Sequence, residues 1–330
     1  MTTTDVLVIG GGPAGAAAAS RLAAGGLRVV LCERQKAPDR QVCGEFVSAT
    51  AAAELVALGV HLGRLGARPL TRARICAGRS EVTTRLPFTG HGISRASLDR
   101  SLLEAAARSG AELRTGVGVR SISRGRGAWS AVLGDGDRIE SGAVVLATGK
   151  HDLRGQQRVF SDGPPTIGFK MHYRLRPDQA AALGDGVELF LYDGGYAGLQ
   201  AIETGAANLC LVVTADHVVG DGLAWPNALA HVHAQAPALA ARLVGARPLW
   251  ARPASIARIP YGYLCPEGGS EGLFRVGDQA AVIPSLAGEG IAFALRSGAS
   301  RPMPCSPAMR RRDMRARSGA RCSARCAVPA

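Results

Sequence analysis

Three glycines near the start of the chain are spaced for binding a phosphate group. They lie in the stretch Gly10-Gly11-Gly12-Pro13-Ala14-Gly15, which fits the pattern GxGxxG. Glycine permits a tight turn and lets the backbone approach a pyrophosphate closely. An acidic residue, Glu33, follows 23 positions after Gly10, near the distance at which such sites place a carboxylate for the ribose hydroxyls. The spacing predicts an adenine dinucleotide site.

The surrounding segments have the character needed to position these residues. Residues 5–9 (DVLVI) are continuously apolar, which is typical of a strand buried on both faces of a parallel sheet. An alanine-rich helix follows the glycines, and residues 28–33 (RVVLCE) predict a second strand that ends at Glu33. The helix amino terminus then faces the pyrophosphate. An acid at position 33 disfavours the 2′-phosphate of NADP, but this motif alone does not separate FAD from NAD.

A second motif lies near the other end of the chain. Residues 273–276 predict a strand that leads into Gly277-Asp278, a turn follows at Pro284, and Gly288-Glu289-Gly290 opens a helix. The amino terminus of a helix stabilises negative charge, including that of a reduced flavin. The alternative for Asp278 is an ordinary turn or N-cap residue.

Together the two motifs resemble the FAD-binding fold shared by aromatic hydroxylases of the para-hydroxybenzoate hydroxylase type and by the geranylgeranyl reductases. The resemblance covers residues 1 to about 298. It implies an α/β fold class: a Rossmann-like FAD-binding domain of the glutathione-reductase type with an inserted, mostly antiparallel β-sheet substrate domain. FAD is the implied cofactor, with Asp278 on its ribityl chain and with Pro284, Gly288 and Gly290 placing a helix beside the flavin ring.

Other positions match motifs of the same superfamily. Arg95 stands in an Arg-x-x-Leu-Asp sequence, Ala147-Thr148-Gly149 ends an apolar run near the implied adenosine site, and Cys43-Gly44-Glu45 resembles the loop that passes over the flavin in reductase-like members. Residues 149–155 (GKHDLRG) depart from the Asp-Gly motif of the hydroxylases. The resemblance implies these cofactor-binding residues: Gly10, Gly12, Pro13, Ala14, Gly15, Glu33, Arg34, Cys43, Gly44, Arg95, Ala147, Thr148, Gly149, Gly277, Asp278, Pro284, Gly288, Glu289, Gly290 and Ile291.

The catalytic residues are not evident from the sequence. Cys43 is the one candidate, and the alternative is an inert, buried thiol. Candidates for facing a substrate pocket, each with a structural role on a strand as the alternative, are Lys170, His172, Tyr192, Tyr196, Tyr261 and Tyr263. The eight cysteines have no CxxC spacing, so neither a metal site nor a disulfide framework is predicted.

The middle of the chain predicts the inserted domain. Alternating patterns over residues 68–87, 166–175, 187–203 and 207–215 indicate an antiparallel sheet, followed by a helix over 225–244 and a strand over 254–259. The predicted FAD-binding domain comprises residues 1–67, 90–160 and 260–298. The predicted substrate domain comprises 68–89 and 161–259, and a basic tail comprises 299–330.

Charge and composition limit the class of protein. The chain carries a net charge of +13, and its tail holds eight arginines against one acid with no aromatic residue to stack on bases, which argues against a specific nucleic-acid reader. Without a signal peptide or a run of about 18 apolar residues, the sequence predicts a soluble, cytoplasmic protein. Peripheral membrane contact and the oligomeric state stay open.

Residues 299–330 have no hydrophobic period and are rich in residues with GC-rich codons. We expect a frameshift just after Gly298, and the alternative is a natural basic tail.

The leading expectation for function is an NAD(P)H-dependent flavin monooxygenase acting on a small aromatic or polyketide-like substrate. The first alternative is a FAD-dependent reductase of carbon–carbon double bonds, like the geranylgeranyl reductases, although residues 194–203 (GGYAGLQAIE) lack the Phe-Pro motif of those enzymes. The second alternative is an inactive, truncated flavoprotein.

Overall fold

The computed structural model describes residues 2–37, 40–159, 165–217, 225–266 and 270–299. The expected frameshift concerns residues that lie, from Ser300 onward, outside the described ranges. In chain order the strands are β1 (Thr2–Ile9), β2 (Val29–Glu33), β3 (Phe46–Val47), β4 (Arg68–Ala77), β5 (Ser80–Gly92), β6 (Glu112–Thr115), β7 (Val119–Arg124), β8 (Trp129–Leu133), β9 (Arg138–Leu146), β10 (Thr166–Arg174), β11 (Gly186–Tyr192), β12 (Gly195–Ala201), β13 (Ala207–Thr214), β14 (Arg247–Pro248), β15 (Ala254–Ala257) and β16 (Leu273–Arg275). The α-helices are α1 (Pro13–Ala24), α2 (Ala49–Ala57), α3 (Arg95–Arg108), α4 (Pro177–Leu183), α5 (Trp225–Gln235), α6 (Pro237–Arg242) and α7 (Gly290–Ala299).

The first sheet contains both strands of the glycine motif. Its order is β6-β2-β1-β9-β8-β7, with β16 beside β9. Strand β1 pairs in parallel with β2 and β9, whereas β7, β8 and β9 form an antiparallel meander. Apolar residues of α1, α3 and α7 cover one face of the parallel strands, and the meander covers the other. Burial on both faces explains why β2 is apolar throughout except for its terminal Glu33.

The turn between β1 and α1 depends on glycine at two positions. Gly10 has a φ of +107°, a conformation that other residues rarely adopt. Gly15 lies inside α1, where an added Cβ atom would stand 1.9 Å from the carbonyl oxygen of Gly10. The helix can therefore approach the end of β1 only because residue 15 has no side chain.

The second sheet carries the inserted segments of the chain. Its order is β14-β10-β13-β12-β11-β4-β5-β3, with β15 beside β10. The pairs are antiparallel except β4 with β11, which is parallel. Apolar residues of α5 and α6 cover one face of this sheet. The opposite face carries Tyr196, Gly198 and Gln200, which line a cavity.

Three predicted segments differ in detail from the structure. The helix predicted over 225–244 is two helices, because Pro237 has no backbone N–H to continue α5 and instead begins α6. The segments 68–87 and 187–203 are each divided into a hairpin of two strands. The predicted domain boundaries stay a prediction. No helix of the described ranges is long and apolar enough to cross a membrane.

We expect Gly15→Ala to destabilise the chain by about 1–3 kcal/mol, because the new methyl group must displace the backbone of Gly10. Urea unfolding followed by circular dichroism measures this change. Gly63→Ala is the matched control, since an added Cβ atom at Gly63 meets nothing within 4 Å. Equal stability of the two variants would show that α1 does not need this close approach.

Candidate functional site

Two adjoining cavities lie where the two sheets meet. The first has a volume of about 470 Å³ and the second about 360 Å³. Both are lined by Gly12, Val42, Arg95, Ala147, Gly149, Lys150 and Asp278. The shared lining makes them two parts of one elongated space, as a dinucleotide would require.

Most of the predicted cofactor residues line this space. Those at the first cavity are Gly10, Gly12, Glu33, Arg34, Arg95, Ala147, Thr148, Gly149 and Asp278. Those at the second are Gly12, Pro13, Ala14, Cys43, Gly44, Arg95, Ala147, Gly149, Gly277, Asp278, Gly288, Gly290 and Ile291.

Three predicted cofactor residues line neither cavity. Gly15 lies against Gly10, as described above. Pro284 precedes a short 3-10 helix, whose residues Ser285 and Ala287 do line the second cavity. Glu289 accepts a hydrogen bond from Ser48 Oγ at 2.9 Å, so its side chain joins the start of α7 to the start of α2. The predicted contacts of all these residues with FAD stay predictions.

Glu33 is held at the first cavity by the turn that it faces. Its carboxylate accepts the backbone N–H of Gly11 at 2.7 Å and that of Gln35 at 2.9 Å. A carboxylate has about four acceptor sites, so two remain for the hydroxyls of a ribose. This arrangement fits the role predicted for Glu33.

Glycines leave open space around the second cavity. An added Cβ atom at Gly44, Gly149 or Gly290 would meet nothing within 4 Å, and all three residues line the cavity wall. The backbone is therefore exposed to a ligand on three sides, one of them the amino terminus of α7. This cradle fits a flat ring system whose reduced form carries negative charge.

Lys150 lies at the junction of the two cavities and is not among the cofactor-binding residues predicted from the sequence. Its Nζ lies 3.1 Å from Oδ2 of Asp278. Burial would lower the pKa of Lys150, but the Asp278 carboxylate outweighs burial and raises the pKa above its ordinary value. A permanent cation therefore lies where phosphate or flavin charge would lie. The only sequence signal was the departure of GKHDLRG from the expected motif.

A buried charged group of the site is Glu45, the last residue of the Cys-Gly-Glu loop. It is fully buried, and its carboxylate accepts hydrogen bonds from Lys170 Nζ, from His172 Nε2 at 2.7 Å and from the backbone N–H of Arg95 at 2.7 Å. Lys170 is fully buried as well. The carboxylate thus joins the loop to β10 and to the first residue of α3.

The backbone and the pKa of Glu45 both reflect these contacts. Its φ is +60°, an unfavourable region for a residue with a side chain, which the surrounding bonds must hold in place. Burial alone would raise the pKa of Glu45, but the hydrogen bond from His172 and the charge of Lys170 outweigh burial, and the pKa lies below its ordinary value of 4.5. Glu45 is therefore ionised.

Two further interactions fix the loop and the helix beside it. Asn208 of β13 donates through Nδ2 to the carbonyl oxygens of Cys43 at 3.2 Å and Gly44 at 2.8 Å. Arg95 forms a two-point salt bridge with Asp99, at 2.8 and 2.7 Å. The backbone of Cys43, the candidate catalytic residue, is therefore fixed by hydrogen bonds from Asn208 of β13.

The remaining pocket candidates divide into two groups. Tyr196 and Tyr261 line the second cavity, where the Tyr261 hydroxyl forms a hydrogen bond with Ser285 Oγ. Burial raises the pKa of both tyrosines and outweighs the hydrogen bonds with Ser285, which lower it, so the hydroxyls stay protonated. Tyr192 instead donates to the carbonyl oxygen of Val212 at 2.9 Å, and Tyr263 packs in a small apolar cluster.

Comparison with known proteins supports the cofactor assignment. Residues 4–156 match the family model described as "Pyridine nucleotide-disulphide oxidoreductase". The chain is 30% identical over 164 residues to a menaquinone reductase of Mycolicibacterium smegmatis, a match that covers 47% of this chain and 40% of that protein. It is 24% identical over 332 residues to a menaquinone reductase of Mycobacterium tuberculosis, covering 90% of this chain and 75% of that protein.

The fold is also found among solved structures. The flavin-dependent brominase Bmp2 superimposes with a TM-score of 0.77 and 19% identity, covering 90% of this chain and 77% of the other. At this identity the likeness concerns the fold. Together the matches confirm the predicted fold class and the resemblance to FAD-binding flavoproteins.

We expect Glu45→Gln to lower the free energy of unfolding by about 3–5 kcal/mol at neutral pH, because it leaves the buried ammonium of Lys170 without a counter-charge. Urea unfolding measures the change. Glu112→Gln is the control: Glu112 also pairs with a cation, Arg114, but its side chain is 54% exposed, so we expect a change within about 0.5 kcal/mol.

Two further measurements distinguish the loss of the Glu45 charge from a change in packing at Glu45→Gln. Adding Lys170→Met to Glu45→Gln removes both buried charges and should restore most of the stability. Since the pKa of Glu45 is lowered, its stabilisation is complete above about pH 4.5 and is lost as the pH falls through the folded-state pKa. The gap between wild type and Glu45→Gln should narrow in acid, and a gap independent of pH would contradict the ion pair.

Proposed function

We propose that this chain, an FAD-dependent oxidoreductase, reduces a carbon–carbon double bond in a largely apolar substrate. The observation that carries the proposal is the second cavity, where apolar side chains surround two protonated tyrosines beside the flavin-type cradle. Its apolar lining includes Leu86, Phe88, Val187 and Leu189. Such a lining favours a ligand with much apolar surface.

Bound FAD would supply the two-electron, hydride-transferring chemistry that no amino-acid side chain possesses. The residues that would hold it are the glycine turn and Glu33 at the first cavity, and Asp278 and the start of α7 at the second. Lys150 would neutralise charge at the junction. FAD is supported by the family match, whereas NAD(P)H as electron donor and the cytoplasmic location stay predictions.

The tyrosines would complete the reduction. Adding hydrogen across a double bond requires a hydride on one carbon and a proton on the other. Tyr196 and Tyr261 are the neutral donors at the second cavity, and Ser285 holds the Tyr261 hydroxyl in position. Because burial raises the pKa of both groups, each keeps its proton at neutral pH and can deliver it to a developing carbanion.

The cavity mouth suits an apolar ligand too. Phe88 and Leu286 line the second cavity, yet their exposed fractions are 36% and 46%. Single exposed apolar side chains are ordinary, but these two line the same cavity. They would cover the part of a long substrate that leaves the cavity. The menaquinone reductases to which the chain is similar support this class of substrate.

The second candidate is the NAD(P)H-dependent monooxygenation of an aromatic substrate expected from the sequence. Aromatic side chains at the second cavity, among them Phe46 and Phe88, suit the rings of a small aromatic molecule. An apolar wall also excludes water from a reactive oxygen adduct. Molecular oxygen is the reagent that separates the two candidates.

The reduction is tested without assuming an electron donor. FAD-loaded protein is reduced with dithionite under anaerobic conditions and mixed with a menaquinone that carries an unsaturated side chain. We expect the flavin absorbance to return and the product to be heavier by two hydrogen atoms, a change that survives exposure to air. A quinol formed by ring reduction would revert in air. If turnover requires oxygen and the product gains an oxygen atom, the protein is a monooxygenase. If the protein does not bind FAD, it is inactive.

We expect Tyr261→Phe or Tyr196→Phe to lower the rate of double-bond reduction by about a hundredfold, because a general acid contributes about that factor or more. FAD affinity should not change, as stopped-flow absorbance and fluorescence titration would show. Tyr192→Phe is the control, since Tyr192 lines neither cavity and its hydroxyl donates to the backbone carbonyl of Val212. Equal rates for all three variants would remove the tyrosines from the mechanism.

A further inference from the structure

The apolar wall of the second cavity continues past the cavity onto the hairpin formed by β4 and β5. Leu189 of β11 pairs with Gly198 on one side and with Ile75 of β4 on the other. Ile75 in turn pairs with Val82 of β5. Paired residues of neighbouring strands have their side chains on the same face of the sheet. Gly198 and Leu189 line the cavity, whereas the exposed fractions of Ile75 and Val82 are 40% and 65%. This row therefore runs from the cavity wall to the outer part of the sheet.

One face of the hairpin is covered and the other is open. Cys76, which follows Ile75 in β4, packs in the core cluster that includes residues of α5 and α6. Ile75 and Val82 lie on the opposite face, where Phe88 and Leu286 are also exposed at the cavity. We call Ile75, Val82, Phe88 and Leu286 the apolar rim. Scattered exposed apolar residues are ordinary, but a contiguous set beside a cavity marks an interaction surface.

The hairpin that carries most of this rim is basic. Residues 68–88 contain five arginines and one acidic residue, Glu81, which gives a net charge of +4. Arg74 pairs with Glu81. Arg79, in the turn between the two strands, and Arg85 of β5 are both exposed, and the salt bridges found among the described residues include neither of them. Unpaired positive charge beside apolar side chains favours an anionic partner with an apolar interior.

We propose that the β4–β5 hairpin and the apolar rim bind the surface of an anionic lipid bilayer. The apolar side chains enter the boundary between headgroups and acyl chains, and the arginines attract the anionic headgroups. The long stems of Arg79 and Arg85 let their guanidinium groups reach the headgroups around the edge of the hairpin. The second cavity then opens toward the bilayer, so an apolar substrate enters it without crossing water. This inference goes beyond the proposed function, because it concerns where the protein binds and not which bond it reduces.

Two other occupants satisfy fewer of these features. A second copy of the chain could pair with the outer edge of β5, where residues 80–90 have β4 as their one partner strand among the described residues. That pairing would bring two hairpins of charge +4 together, and like charges on paired strands are destabilising. An acidic protein would satisfy the arginines, but its carboxylates would lie beside Ile75 and Val82, which gain only from apolar contact. A bilayer supplies both kinds of contact.

Sedimentation with vesicles tests the apolar contact. The full chain is mixed with vesicles of equal parts phosphatidylcholine and phosphatidylglycerol, and its partition coefficient is measured. We expect Val82→Ser to lower this coefficient about tenfold, because the apolar side chain that leaves water on binding is removed. Val244→Ser is the matched control, since Val244 is also exposed but follows α6, on the opposite side of the second sheet. We expect it to bind like wild type.

The same vesicles test the charge. We expect Arg79→Gln to lower the partition coefficient about fivefold, because one arginine near an anionic surface loses its attraction to the headgroups. Binding to vesicles of phosphatidylcholine alone should not change. Arg126→Gln is the matched control: Arg126 is likewise exposed in a hairpin turn, between β7 and β8 of the first sheet. Circular dichroism confirms that each variant is folded.

Val82→Trp locates the contact directly. Its added tryptophan should be quenched by lipids brominated on their acyl chains, whereas that of Val244→Trp should not. If the Val82 variants behave like their Val244 counterparts, the vesicles bind through general positive charge, such as the arginines of residues 299–330, and the proposal is wrong.

Absence of vesicle binding would also overturn the proposal. A dimer that Val82→Ser dissociates would then identify a second copy as the occupant of the rim, and a monomer would favour an acidic protein. These measurements do not depend on turnover. Vesicle binding through the hairpin without reduction of any double bond would leave the surface standing and overturn the proposed function.

Discussion

The ionised carboxylate of Glu45 is the interaction on which the site depends. It is buried between the two sheets, and its three hydrogen bonds come from β10 of the second sheet and from the start of α3, which packs on the first sheet. A buried charge tolerates little displacement, since each lost bond leaves an uncompensated group in a medium of low polarity. The contact therefore fixes how the loop over the cofactor space is placed relative to the substrate-side sheet.

The consequence reaches both cavities. Glu45 follows Cys43 and Gly44, whose carbonyl groups are held by Asn208. His172 packs against Trp250 in a tilted arrangement with ring centroids 4.5 Å apart, and the Arg40 guanidinium lies over the Trp250 ring at 5.3 Å. Arg40 lines the first cavity, whereas Cys43 lines the second. One buried cluster thus positions the loop at both ends, so the two cavities are expected to respond together when any member is changed.

The sequence predicts the turns and strands of this arrangement, but not the contacts between residues that are distant in the chain. The turn at Gly10 to Gly15 and the apolar strands were predictable, because tight turns and burial on two faces restrict residue types within a few positions. The partners of Glu45 are 125 and 127 residues away in the chain, and no periodicity connects them. Lys170 and His172 were recognisable only as polar residues in an otherwise apolar strand. Their spacing of two positions places both side chains on one face of β10, but it does not identify Glu45 as their shared partner.

Charge pairing around the second cavity indicates what kind of molecule fits there. Its charged lining residues are Glu45, Arg95, Lys150 and Asp278, and each has a partner of opposite charge: Lys170, Asp99 and, for the last two, each other. The uncharged polar side chains of the same lining include Tyr196, Tyr261 and Gln200. Neutral donors in an apolar wall select a neutral ligand, because a charged one would lose its hydration without gaining a counter-charge. The neutral polar groups are then the ones to which the proposed function assigns recognition of the substrate, and the paired charges hold the cavity in shape.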